Sequence, residues 1–290
     1  MAGDVEKRDT LLARLRAAHP ERPARRLKDL VLHGLVKVDG VVETRPHAPA
    51  AENSTIEVAR QPRKTEQPPL TIVYEDRDLV VIDKPANLLT TSARHEKDWT
   101  AYKILNRILG DKRPRAKALI VHRLDYATSG LLVFAKNHLI QEALKKQFEA
   151  QLAERGYVGV AKLSPLLQRD SGTLTHYLTE DKHLRVRAHR GKQPNSVVAV
   201  TRFFVERRNP ARGIALVRFA LETGKKNQIR VQMAAQGASI DGDRKYGQPP
   251  HVLPRLALHA GHLAFRHPRA GRSLRFDSPT PPEFLALFRV

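Results

Sequence analysis

Asp125 lies in the run VHRLDYATSGLLVFAK, from Val121 to Lys136, with Arg123 two residues before it and Thr128, Ser129 and Gly130 after it. A carboxylate held at a fixed point can attack a sugar carbon as a nucleophile, or stabilise the charge that develops there, as in glycoside cleavage. The same residues also suit a tight turn, in which Asp, Thr and Ser bond nearby backbone and Gly supplies a positive φ. Residue types alone leave both readings open.

Such a carboxylate needs a rigid mount. Apolar runs lie on both sides, Ala118–Val121 and Leu131–Phe134. They predict two buried strands flanking a polar loop that carries His122, Arg123, Asp125, Thr128, Ser129 and Gly130.

HRLDYATSGLLVFAK resembles the signature of the RluA-like family of RNA pseudouridine synthases: HRLD, then Thr-Ser-Gly, then an apolar strand ending in Ala-Lys. The resemblance places the family's catalytic aspartate on Asp125. Further segments carry it through residues 71–290. RGYVGVAK reads as a strand and stands where the family has Lys-x-Tyr. The pair here is Arg155 and Tyr157, and the resemblance implies that Tyr157 lies against the uracil ring.

LETGKKNQIRVQMAAQG reads as a strand, a Gly turn and a helix ended by Gly237. It resembles the family's motif of Thr-Gly and a basic pair followed by Gln-Ile-Arg, which puts the active-site arginine on Arg230. Three departures stand out. Asn227 and Gln232 occupy positions where the family often has His, which bears on fine substrate contacts. Asn87 follows Lys84, Pro85 and Ala86 where Gly is usual, and Asn tolerates the same positive φ.

The implied reaction breaks the bond from uracil nitrogen to the sugar, turns the detached base, and joins its carbon five to the same sugar carbon. No redox change or group donor is involved, so no cofactor and no metal are expected. Asp125 would attack the sugar or take a proton from it, and the residues do not choose between these. Arg230 would orient the carboxylate and stabilise its charge. Tyr157 would stack on the uracil and assist proton removal from carbon five. The uridine must leave its stack to be reached, and Arg123 reads as a wedge or phosphate clamp.

Composition fits an RNA partner. The 290 residues have room for about two domains, and 51 Lys plus Arg against 30 Asp plus Glu give a net charge of +21. The pI is about 10.6, which points to a polyanion, most simply nucleic acid. The absence of cysteine excludes disulfides, thiolate catalysis and cysteine-based metal sites. With no apolar N-terminal run and no membrane-length apolar stretch, the expectation is a cytoplasmic, monomeric protein that does not engage a membrane. His259, His262 and His267 suggest a metal site, but LALHAGHLAF reads as a strand that turns the first two to opposite faces.

Residues 1–60 form a separate unit: two short helices, a hairpin turning at Asp39-Gly40, and a third strand, STIEV. KDLVLHGLVKVDG resembles the S-four type of RNA-binding domain, first named from a small-subunit ribosomal protein. This unit holds 11 Lys plus Arg and 9 Asp plus Glu, so RNA binding here would rest on clustering. The cluster is Arg22, Arg25, Arg26 and Lys28, with Lys37 on the hairpin, and a solvated helix face is the other reading. Residues 61–70, with their prolines and charges, read as a linker to the catalytic domain, 71–290.

The expected class is α+β: a mixed, largely antiparallel sheet in the catalytic domain and a small N-terminal α/β RNA-binding domain. The expected function is an RNA pseudouridine synthase acting on large-subunit ribosomal RNA, with tRNA as the second target. A non-catalytic RNA-binding or ribosome-assembly protein would need only the charge and the fold. An RNA N-glycosidase would need the same carboxylate but release free uracil.

Overall fold

The computed structural model describes residues 10–32, 35–58, 68–91, 99–112, 117–182 and 184–289. Residues 61–67 of the expected linker, Gly34 at the expected end of the second helix, 113–116 of the basic loop KRPRAK, and His183 lie outside them. The chain divides into two compact units, Met1–Gln67 and Pro68–Val290.

In the first unit, α1 (Leu11–Ala18) starts where the Thr10 hydroxyl accepts from Ala13 N at 3.4 Å. It is followed by α2 (Ala24–Leu32), β1 (Val36–Val38), β2 (Val41–Val42) and β3 (Ile56–Val58), with strand order β2-β1-β3. Asp39 and Gly40 have φ of 51° and 80°, the double positive that a two-residue hairpin turn requires. Leu11, Leu15, Leu27, Leu30, Val31 and Val36 form the core.

The second unit contains β4 (Thr71–Glu75), β5 (Leu79–Lys84), α3 (Ala101–Lys112), β6 (Leu119–Ile120), β7 (Ser129–Ala135) and α4 (His138–Glu149). It continues with β8 (Glu154–Lys162), β9 (Ser171–Glu180), β10 (Val186–His189), β11 (Val197–Asn209), β12 (Ile214–Leu221) and α5 (Gln228–Ala235). β13 (Leu258–Arg266), β14 (Ser273–Asp277) and α6 (Pro282–Ala286) complete it. The strands form one 11-stranded sheet ordered β10-β9-β11-β12-β8-β13-β7-β5-β4, with β14 beside β13 and β6 beside β7. The pairing is antiparallel throughout except between β7 and β13, which makes the mixed, largely antiparallel sheet of the expected α+β class.

The unbroken apolar run in β7 follows from helices covering both faces of the sheet there. Leu132 and Phe134 pack with Ile104 and Leu105 of α3, while Leu131 and Val133 pack with Ile140 and Leu144 of α4. A third cluster joins β8, β9, β11 and β12 to α5 and α6 through Val160, Leu174, Phe203, Phe219, Met233 and Phe284. The first turn of α3 starts at Ala101, where the Thr100 hydroxyl caps it by accepting from Lys103 N at 3.1 Å. Gly130, at φ 114°, lies flush against Ala260 of β13, and any Cβ there would collide with the Ala260 backbone. Among the described residues no helix is long and apolar enough to cross a membrane.

Candidate active site

The loop 121–128 leads into β7 at the sheet's parallel step, and several contacts fix it. Thr90 Oγ1 donates to the Leu124 carbonyl at 2.9 Å and accepts from Leu124 N at 3.1 Å. Thr128 N donates to the Asp125 carbonyl at 3.2 Å, closing the turn. His122 stacks on Phe148 of α4, with centroids 4.4 Å apart, and its Nε2 accepts from Val133 N at 3.2 Å. Burial, then the charge of Arg155, lowers the His122 pKa to about 3, so the ring is neutral.

Beneath the loop, Lys84 is fully buried at the end of β5. Its ammonium donates to the carbonyls of Leu88 (2.8 Å), Pro85 (2.9 Å) and Tyr126 (3.3 Å), the last being the neighbour of Asp125. Burial lowers its pKa to about 7 against the opposing pull of Asp125 and Asp83. Asn87 has φ 59°, the left-handed turn that the glycine of the resembled motif would also supply.

Arg230, in the first turn of α5, meets this loop from the other side. Its Nη1 donates to Asp125 Oδ2 at 3.0 Å and to Asn227 Oδ1 at 2.9 Å. Its Nε and Nη2 grip Asp243 through two parallel bonds of 2.7 and 2.8 Å. The Asp243 side chain is fully buried and that of Arg230 is 11% exposed. Burial alone would lower the Arg230 pKa, but Asp243, followed by Asp125, reverses this and raises it above its ordinary value. The guanidinium also lies 5.2 Å from the Tyr246 ring.

Asp125, Arg230, Tyr157 and Arg123 all line one cleft of about 810 Å³. Tyr157, on β8, has its phenol pushed up to about 12, by burial first and then by the Asp125 charge, so the hydroxyl keeps its proton at neutral pH. Arg123 is exposed at the cleft and Asp125 is 29% exposed, accessible to a ligand.

The structure thus brings together four of the residues singled out from sequence. The other five, Arg22, Arg25, Arg26, Lys28 and Lys37, are exposed on the first unit: four on α2 and the turn before it, and Lys37 on β1. Of the two departures in the arginine motif, Asn227 lines the cleft and holds Arg230. Gln232 does not line it; it is fully buried and binds the Leu174 and Ala199 carbonyls and the Thr201 hydroxyl.

The three histidines have separate partners: His259 meets Ser129 and Ser278, His262 meets Asp277, and His267 meets Asp76. Among the described residues no group of three or more His, Asp or Glu is arranged to hold a metal ion. The residue that sequence reasoning missed is Asp243. Its signal was available in IDGDRKYG, where an acid in a Gly turn follows the helix that carries an arginine needing a partner.

Residues 78–235 match the family model described as RNA pseudouridylate synthase. A protein of Aquifex aeolicus (strain VF5) named as an RNA pseudouridine synthase is 30% identical over 312 aligned positions, covering 99% of this chain and 94% of that one. Ribosomal large subunit pseudouridine synthase D of Zymomonas mobilis is 34% identical, over 77% of this chain and 73% of its own. The protein of the same name from Vibrio cholerae is 32% identical, over 90% and 85%. Among solved structures, human RNA pseudouridylate synthase domain containing 4 shares the fold with a TM-score of 0.61 at 22% identity, covering 74% of this chain and 90% of that one.

Proposed function

The chain belongs to the RNA pseudouridylate synthase family and is an isomerase that converts uridine to pseudouridine in RNA, and from that premise we propose that its target lies in large-subunit ribosomal RNA and that Asp125 is the reacting carboxylate. The observation that carries the assignment of Asp125 is its geometry. Arg230 Nη1 lies 3.0 Å from one carboxylate oxygen, in a cleft that Tyr157 and Arg123 also line.

The reaction needs a carboxylate beside the ribose while the glycosidic bond breaks and while the base turns. Asp125 serves it by attack on the anomeric carbon or by removal of the neighbouring sugar proton, and both demand the same placement. Arg230 is itself clamped by Asp243 and Asn227, so the carboxylate is aimed before substrate arrives. Tyr157 supplies the ring of a neutral phenol, on which the detached uracil can stack as it turns. Arg123, at the edge of the same cleft, takes the place the uridine leaves or holds a phosphate.

Support for the large-subunit target comes from relatives whose names specify it. The first unit adds a basic helix end and hairpin, Arg22, Arg25, Arg26, Lys28 and Lys37, as an S-four type RNA-binding surface. The test is tritium release from RNA labelled at uracil carbon five, with large-subunit ribosomal RNA and tRNA transcripts compared side by side. Release from the ribosomal transcript alone supports the proposal. Release from tRNA alone overturns the target, and free uracil as product would mean that the new carbon bond does not form.

A further inference from the structure

Arg155 and Tyr157 are two residues apart on β8, so their side chains leave the same face of the sheet, and both line the cleft. Arg155 differs in one respect from the other well-buried arginines of this unit. Arg230 is paired with Asp243, and Arg255 with Glu283. Arg155 has no carboxylate partner among the described residues, and its Nε is buried without a hydrogen-bond acceptor. Burial lowers its pKa, and the opposing influence comes from the Tyr157 phenol and from no acid.

The guanidinium is held in place all the same. It lies 5.7 Å from the Phe148 ring, and its Nη1 occupies the space that a side chain at Gly224 would fill. His122, stacked on the same Phe148, is neutral and adds no repelling charge. Two of the three lysines that line the cleft are differently placed: Lys145 pairs with Glu142, and Lys226 with Glu180.

An unpaired buried charge is costly unless a ligand supplies the partner. The RNA's anion is the phosphodiester, and a guanidinium fork matches two of its oxygens. We propose that Arg155 is a positioning residue that receives a backbone phosphate next to the target uridine, placing the nucleotide between Asp125 and Tyr157. This rests on the uridine-isomerising reading and specifies which contact seats the substrate.

The test uses the full chain and a short ribosomal RNA fragment containing the modified uridine, with the phosphate on its 5′ or its 3′ side replaced in turn by a neutral methylphosphonate. Equilibrium binding and single-turnover tritium release are measured for wild type, Arg155→Gln and Arg155→Lys. One of the two neutral linkages is expected to weaken wild-type binding about tenfold or more, the usual scale for a charge-assisted contact. Arg155→Gln should show the same loss on ordinary RNA and no further loss on the neutral RNA. Arg155→Lys should recover part of it. Because no carboxylate partner is removed and the loss of the Phe148 contact is offset by relief of an unpaired charge, Arg155→Gln should not lower the melting temperature, which a purely structural arginine would.

Gly224→Ala displaces the guanidinium without removing its charge, and should reproduce the binding defect should the glutamine variant misfold. The inference is overturned if wild type ignores both neutral linkages, or if Arg155→Gln retains the full sensitivity to them. Wild type that binds this RNA with the predicted sensitivity but releases no tritium would instead overturn the uridine-isomerising reading.

Discussion

Replacing Asp243 by Asn should be among the most damaging single-atom changes in the protein. The substitution keeps the volume but exchanges one acceptor oxygen for a donor amide, which then faces an arginine N–H. Two charge-assisted bonds, of 2.7 and 2.8 Å, hold Arg230 to Asp243, and such bonds contribute about 1.5–3 kcal/mol each. With the Asp243 side chain fully buried and Arg230 at 11% exposure, solvent screens little of this. Breaking a buried pair typically costs about 3–5 kcal/mol, and we expect a stability loss in that range by urea denaturation.

The effect on rate is separate. Arg230 would keep Asp125 and Asn227 as partners but lose the grip that sets its angle, and a shift of about 1 Å costs on the order of a hundredfold. Single-turnover tritium release per folded molecule should fall by about that factor, with RNA binding nearly unchanged. An Asp243→Asn protein with wild-type turnover and a stability loss below about 1 kcal/mol would refute the claim that this buried pair positions the arginine.

Tyr157→Phe keeps the ring and Tyr157→Leu removes it. If stacking is the main role, the Leu variant should be slower than the Phe variant by about 10–100-fold in single turnover, the range for one base on one aromatic face. Lys84→Met should unfold about 2 kcal/mol more easily and also slow the reaction, since three carbonyls lose their donor and one belongs to Tyr126, beside Asp125. His122 has a folded pKa of about 3 against an ordinary 6.5, so the unfolded chain binds the extra proton between those values. Its contribution to stability is therefore full above pH 6.5 and is lost as pH falls toward 3. In His122→Asn the rise of stability with pH across that window should be shallower by up to about 1.4 kcal/mol per pH unit; equal slopes would show that the histidine is not held neutral.

Much of the architecture could be read from pattern, for stated physical reasons. The apolar runs around Asp125 became β6 and β7, and the three-and-four spacing in HLIQEALKKQFEA became α4, because one-sided burial leaves a periodic trace. Ser129 and Gly130 belong to β7, not to the loop, since the apparent turn glycine pairs with Ala260 of β13 where there is no room for a Cβ. Asp125 and Arg230 were singled out from motif spacing although 105 positions separate them.

Asp243, which clamps Arg230, was not: its acid-in-a-turn pattern is common, and the ion pair itself leaves no periodicity. Lys84 was visible only as part of a resembled motif. Its burial and its bond to the Tyr126 carbonyl depend on how β5 lies against the loop, which no local pattern encodes. For the same reason the motif departure at Gln232 gave no sign that this is a core residue tying α5 to β9 and β11.

The most direct test of the central claim is tritium release by wild type and Asp125→Asn on the same ribosomal RNA transcript, with binding measured in parallel. The account predicts that the variant folds and binds RNA but releases no tritium above background. Release by Asp125→Asn at more than a small fraction of the wild-type rate would contradict the assignment of Asp125 as the reacting group.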